Sequence, residues 1–172
     1  MNRAITNLFR VSVLFLFAGC SVGISMNGAS VPADAKSISV AFFANNAPLA
    51  GPTMSQTFTD ALRDYLTAQS HLPLVKNGDL DFSGSITNFS TQPVAASSAS
   101  AGAGQSSLTR LTITVEVVYA DKNDPKKDFT ASFSRYADYP SAQNLATVQN
   151  DLITQIDKQL VQDIFDKAFN NW

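Results

Sequence analysis

The 172 residues contain one cysteine and one histidine. A thiol or hydroxyl triad, a zinc cage and a disulfide framework each need more than that. The cysteine closes the sequence Phe17-Ala18-Gly19-Cys20, behind a basic start at Arg3 and Arg10 and a short apolar run from Val11 to Ala18. That is the layout of a bacterial lipoprotein signal peptide, in which small residues fit the cleft of the signal protease and the cysteine becomes the new N-terminus. A membrane span needs roughly 20 apolar residues, whereas this run soon meets Ser21, Ser25 and Asn27. Cys20 is therefore the expected lipidation site, carrying palmitate-type acyl chains. At about 0.8 kcal/mol per buried methylene, several such chains hold a domain at a membrane without spanning it. Ser21 rather than Asp follows the cysteine, consistent with passage to the outer membrane.

The other groups able to do chemistry read as structural. His71 ends an apolar helical pattern beside Leu72-Pro73, where it can interact with terminal carbonyls. Asp79 and Asp81 could share one strand face as an acid and base pair, but Gly78 marks a turn and favours solvation. Gly102-Ala103-Gly104 lacks the third glycine and the helix of a dinucleotide fingerprint. Asp121-Lys122-Asn123-Asp124-Pro125 offers oxygen ligands without the glycine and bidentate Glu of a calcium loop. No catalytic residue, metal ligand or cofactor site is expected. A small hydrolase would require a pocket around His71 or the Asp79 and Asp81 pair. Lys122, Lys126 and Lys127, with Arg110, form a candidate basic rim at one end of a long hairpin, able to contact phosphorylated head groups.

Loss of residues 1–19 removes two of the twelve basic residues and none of the fourteen acidic ones, leaving a formal charge of −4. This argues against a nucleic-acid partner. The remaining length suits one packed domain. The reading divides the chain into a signal peptide over 1–19, a small-residue tether over 20–36 and a single domain over 37–172.

Within that domain, Ser37 to Phe43 alternates as a half-buried strand with Ile38, Val40 and Phe42 inward. Met54, Phe58, Leu62, Tyr65 and Leu66 recur at helical spacing. Leu80, Phe82 and Ile86 begin a second strand, and the parity of Phe89 predicts a bulge near Thr87 or Asn88. Gln92 to Ser107, nearly all Ala, Ser and Gly, predicts a long mobile loop. Leu111 to Tyr119 alternates cleanly, Asp121 to Lys127 turns, and Phe129 to Arg135 completes a hairpin. Ser141 is the expected cap of a helix whose apolar face runs Leu145, Val148, Leu152, Ile156, Leu160, Ile164 and Ala168. Trp172 follows as packing or a membrane-interface residue. The order β-α-β-β-β-α predicts an α+β two-layer sandwich, with two amphipathic helices on one face of an about four-stranded sheet and a Thr- and Ser-rich opposite face.

These segments resemble the LptE family in order and spacing. The resemblance is carried by Ile38-Ser39-Val40-Ala41-Phe42-Phe43 with Asn45-Asn46-Ala47-Pro48, by Pro52 to Leu62, Gly84-Ser85-Ile86-Thr87-Asn88-Phe89, Leu111 to Val115, Phe133-Ser134-Arg135-Tyr136 and Asp163 to Trp172. It implies a non-catalytic outer-membrane lipoprotein that plugs and helps assemble the LptD β-barrel. It would support lipopolysaccharide transport from the periplasmic side or within the barrel lumen. Lipopolysaccharide itself is a possible ligand of the basic rim. The competing reading is a lipid-anchored periplasmic module that binds a glycan or peptide along its hydroxyl-rich sheet face.

Overall fold

The computed structural model describes residues 31–94 and 107–170. Cys20 and the signal segment, most of the tether, the bulk of the Ala/Ser/Gly loop and Trp172 lie outside them. The elements are β1 (Ile38–Val40), β2 (Ala44–Asn45), α1 (Met54–Ser70), β3 (Leu80–Val94), β4 (Leu108–Asp121), β5 (Phe129–Pro140) and α2 (Leu145–Phe169), with a 3-10 turn at Pro125–Lys127 between β4 and β5. Their order is the one predicted.

The sheet runs β1-β3-β4-β5, and β2 lies beyond β1 along the same edge of β3. β1 and β2 pair in parallel with β3, matching Ile38 to Leu80 and Ala44 to Ser85. β3–β4 and β4–β5 are long antiparallel ladders. The first shifts register between Ile86 and Asn88, where the parity of Phe89 demands a bulge.

Alternation along β4 sends Leu111, Ile113, Val115, Val117 and Tyr119 to one face, all buried. They meet Phe82 and Ile86 of β3 and the apolar rows of the two helices in one core. In α1 the row is Met54, Phe58, Leu62 and Leu66. An aromatic cluster closes one end of this core: Tyr119 stacks on Phe129 at 5.2 Å, and Phe165 and Phe169 pack at 4.8 Å. The opposite sheet face stays open and carries Ser83, Ser85, Thr112, Thr114, Ser132 and Ser134, none of them buried.

Three local expectations are corrected. Phe42 is 57% exposed and Phe43 fully buried, because β1 stops at Val40. Phe43 then packs edge-on against Phe58 at 5.2 Å, and its N–H donates to Thr59 Oγ1. Gln92, Pro93 and Val94 belong to β3, paired with Arg110, Thr109 and Leu108, so the loop begins later than its composition suggests. A backbone ladder needs no side-chain bulk. The cap of α2 is Asn144, whose side chain accepts from the Ala146 N–H. Ser141 instead bonds Thr109 across the sheet end at 2.8 Å.

Candidate functional site

His71 is the left-handed C-cap of α1, with φ 59°. Its backbone N–H donates to the Thr67 carbonyl at 3.1 Å, so the carbonyl contact is made by the main chain while the side chain is exposed. This is a helix-terminating position. The two acidic residues at the start of β3, Asp79 just ahead of it and Asp81 within it, are anchors for β1. Asp79 accepts from the Lys36 N–H at 2.8 Å and from Ser37, and Asp81 accepts from Ser39 Oγ. Their hydrogen bonds run to Lys36, Ser37 and Ser39, not to His71. Among the described residues, no group of three or more His, Cys, Asp or Glu side chains is placed to hold a metal ion. Nor does any described helix have the length and apolar character to cross a membrane.

The basic rim divides into two places. Lys122, Lys126 and Lys127 sit at the β4–β5 turn, whereas Arg110 lies at the far end of the same hairpin opposite Asp138. Twelve residues of strand separate Arg110 from Lys122, roughly 40 Å. The turn itself is built by carboxylates. Asp121 accepts from the N–H groups of Asn123 and Asp124, Asp128 accepts from the Asp121 N–H at 2.8 Å, and Asp124 pairs with Lys127 at 3.8 Å. Lys126 and Lys127 nevertheless share a groove of about 320 Å³ with Phe129, Lys167 and Asn170. Lys167 comes from the last turn of α2, and its ammonium lies 5.9 Å from the centre of the Phe129 ring. It is a basic contributor that sequence spacing did not connect to the hairpin, because the connection is made only when α2 packs on the sheet.

At the other end, Arg110 forms a two-bonded fork with Asp138, at 2.8 and 2.9 Å, and lies over the Tyr136 ring with its guanidinium carbon 3.6 Å from the centroid. The hydrogen bond from Arg110 holds the Asp138 carboxyl below the usual range and raises the guanidinium. Tyr136 is half exposed on the open sheet face. A second fork, Arg135 to Asp163, ties β5 to α2. Burial raises the Tyr119 hydroxyl well above its ordinary value.

These surfaces offer cations, hydroxyls and an aromatic platform, but no nucleophile activated by a base. They can hold a ligand or a partner, and the comparisons agree in kind. The family model LptE, described as lipopolysaccharide-assembly, matches residues 35–168. No curated protein matches. A solved structure of a neuraminyllactose-binding hemagglutinin homolog from Helicobacter pylori has TM-score 0.54 at 9% identity, covering 83% of this chain and 87% of that one. A hypothetical protein from Chlamydia trachomatis has TM-score 0.51 at 8% identity, covering 78% and 98%. At these identities the likeness establishes the fold alone. The family match starts ahead of β1 and runs to the last turn of α2, and by it this chain belongs to the LptE family of non-catalytic lipopolysaccharide-assembly lipoproteins.

Proposed function

We propose that this domain is anchored through lipid on Cys20 at the periplasmic side of the outer membrane and lodges in the lumen of an LptD-like β-barrel. There it acts as plug and assembly partner while lipopolysaccharide passes to the outer leaflet. The observation that carries this reading is the family match across the whole domain. The open sheet face supports it, because barrel lumens of this kind are polar and its hydroxyls can exchange water for lumen groups at little cost. Lipopolysaccharide contact is assigned to the two basic places. At the turn, Lys126 and Lys127 with Lys167 supply ammonium groups for a phosphorylated head group, and Lys122 belongs to the same turn in sequence, outside that groove. At the other end, Arg110 supplies a guanidinium already held by Asp138. The test is recovery of the full-length tagged protein from outer membranes in mild detergent, followed by a salt wash. A large barrel in near-equal amount is the expected result. A clean monomer would overturn the reading.

One arrangement favours a second reading, glycan binding on the open sheet face. Tyr136 presents a half-exposed ring beside Asp138 and Arg110 amid Ser and Thr hydroxyls, the groups that stack on and hydrogen-bond a sugar. A monomer that binds soluble saccharide, and loses it on Tyr136→Ala, would establish that function instead.

A further inference from the structure

We infer that the outer edge of β5 pairs with the same edge of a second copy of this chain, outside any barrel, as one antiparallel ladder centred on Ser134. β5 ends the sheet on one side. The Ser141 N–H donates to the Ser107 carbonyl at 2.9 Å, just past the pair Leu108 and Pro140, which fixes the phase of the β4–β5 ladder. Odd-numbered residues from Phe129 to Tyr139 therefore bond β4. The N–H and C=O groups of Thr130, Ser132, Ser134, Tyr136 and Asp138 point out from the sheet edge, and all five residues are exposed. No strand or side chain among the described residues takes them.

The two edges of the sheet are built differently. On the opposite side β1 and β2 cover β3 as far as Ile86, a register shift follows, and Pro93 interrupts the remainder. Such features keep a free edge from recruiting another chain. β5 has neither over its length: its ladder runs from Phe129 without a shift, with no lysine and no proline before its last residue. Its two charged side chains are already held within the domain, Arg135 by Asp163 and Asp138 by Arg110. The sequence of the edge also suits itself as a partner. With Ser134 opposite its own copy, every residue from Phe129 to Tyr139 is paired, and each outward N–H meets an outward carbonyl. Thr130 then faces Asp138, Ser132 faces Tyr136, Phe133 faces Arg135 and Phe129 faces Tyr139 of the second copy. Hydroxyls meet a carboxylate and a phenol, rings meet a guanidinium and another ring, and no like charges are opposed. Moving the centre by one residue, to Arg135, sets two guanidinium groups against each other instead.

The inference does not draw on the barrel reading, since the paired copies are those outside a barrel. The full-length protein in mild detergent is sedimented over a dilution series, beside Ser134→Pro and Ser134→Lys. Proline removes the central outward N–H and leaves the bonds to β4 in place, and lysine sets two ammonium groups opposite each other. A wild-type dimer is expected, weakened about tenfold or more by Ser134→Pro and about fivefold by Ser134→Lys. The exposed change Ser134→Lys keeps this arm decisive if Ser134→Pro fails to fold. In outer membranes, a short bis-maleimide should join Ser134→Cys to its own copy. It should not join Thr130→Cys, whose two copies lie roughly 27 Å apart in this register at about 3.4 Å per residue. Wild type controls for Cys20. A wild type that stays monomeric, a dimer that neither variant weakens, or equal joining at both positions would overturn the inference. If wild type is monomeric and Ser134→Pro recovers less barrel, the edge belongs to an extended segment of that barrel instead. A wild type that recovers no barrel sinks the plug reading and leaves these outcomes as they stand.

Discussion

The open face of the sheet and the groove between the helices treat charge in opposite ways. On the sheet face, Arg110 and Asp138 meet in a fork, partly exposed on both sides. In the groove, Asp157 is buried and unpaired. An exposed pair is screened and adds little to stability, so its use lies in presenting a guanidinium and a ring at fixed places. A buried lone carboxylate lowers stability once it ionises, so the groove carries a pH-dependent cost that the open face does not. The two regions teach the same lesson by different routes: where the described residues bring together no catalytic constellation, function is sought where polar groups are placed against the interests of folding or in excess of them.

Five substitutions bear on this contrast. The largest effect belongs to the core that both regions depend on. Phe58→Ala removes a fully buried ring packed on Phe43 and is expected to cost about 3–5 kcal/mol in denaturant unfolding. Next comes Asp157→Asn, with the opposite sign. The folded-state value near 7 lies above the ordinary 3.8, so the folded protein holds the proton more tightly than the unfolded chain. Stability contributed through this group is greatest at low pH and is lost as pH rises from about 4 to 7. The pH-dependent part of the difference between variant and wild type should therefore grow over that window, toward an upper bound of about 4 kcal/mol at pH 8. Matched unfolding curves at pH 4.5 and pH 8 check it, and parallel curves would break the contrast between the two regions.

A smaller effect separates the two ends of the link into α2. Asn144→Ala should cost about 1 kcal/mol through loss of the cap, and Ser141→Ala much less, measured by thermal unfolding. Smallest of all, Ser132→Ala on the open face should change stability by less than about 0.5 kcal/mol. If it instead destabilises strongly, the face is not free for a partner.

The order of elements, the bulge and both helices were legible because each follows from a period that the sequence repeats several times. Phe43 was not, because β1 is only three residues long and a single step off the strand reverses the parity. The start of the loop was misplaced because Gln92-Pro93-Val94 is held by its neighbour's backbone, which composition does not record. Arg110 and the lysines were grouped by chain proximity to one hairpin, although a hairpin this long puts its ends far apart. Asp157 left a trace that a single apolar row obscured. Ile153, Asp157, Val161 and Phe165 form a second row at a spacing of four, all buried, with one acidic residue among three apolar ones. A helix covered by both a sheet and another helix buries a stripe wider than one row, and a charge inside that stripe is the signal. Lys167 carried no such mark, since only the packing of α2 brings it beside Phe129.

The central claim is that the open sheet face meets the interior of a membrane barrel. The most direct measurement places a photocrosslinking amino acid at Ser132, on that face, and irradiates intact cells. The account predicts one dominant high-mass adduct containing an LptD-like barrel. Irradiation that yields no barrel adduct, from a protein that is folded and membrane-bound, would contradict it.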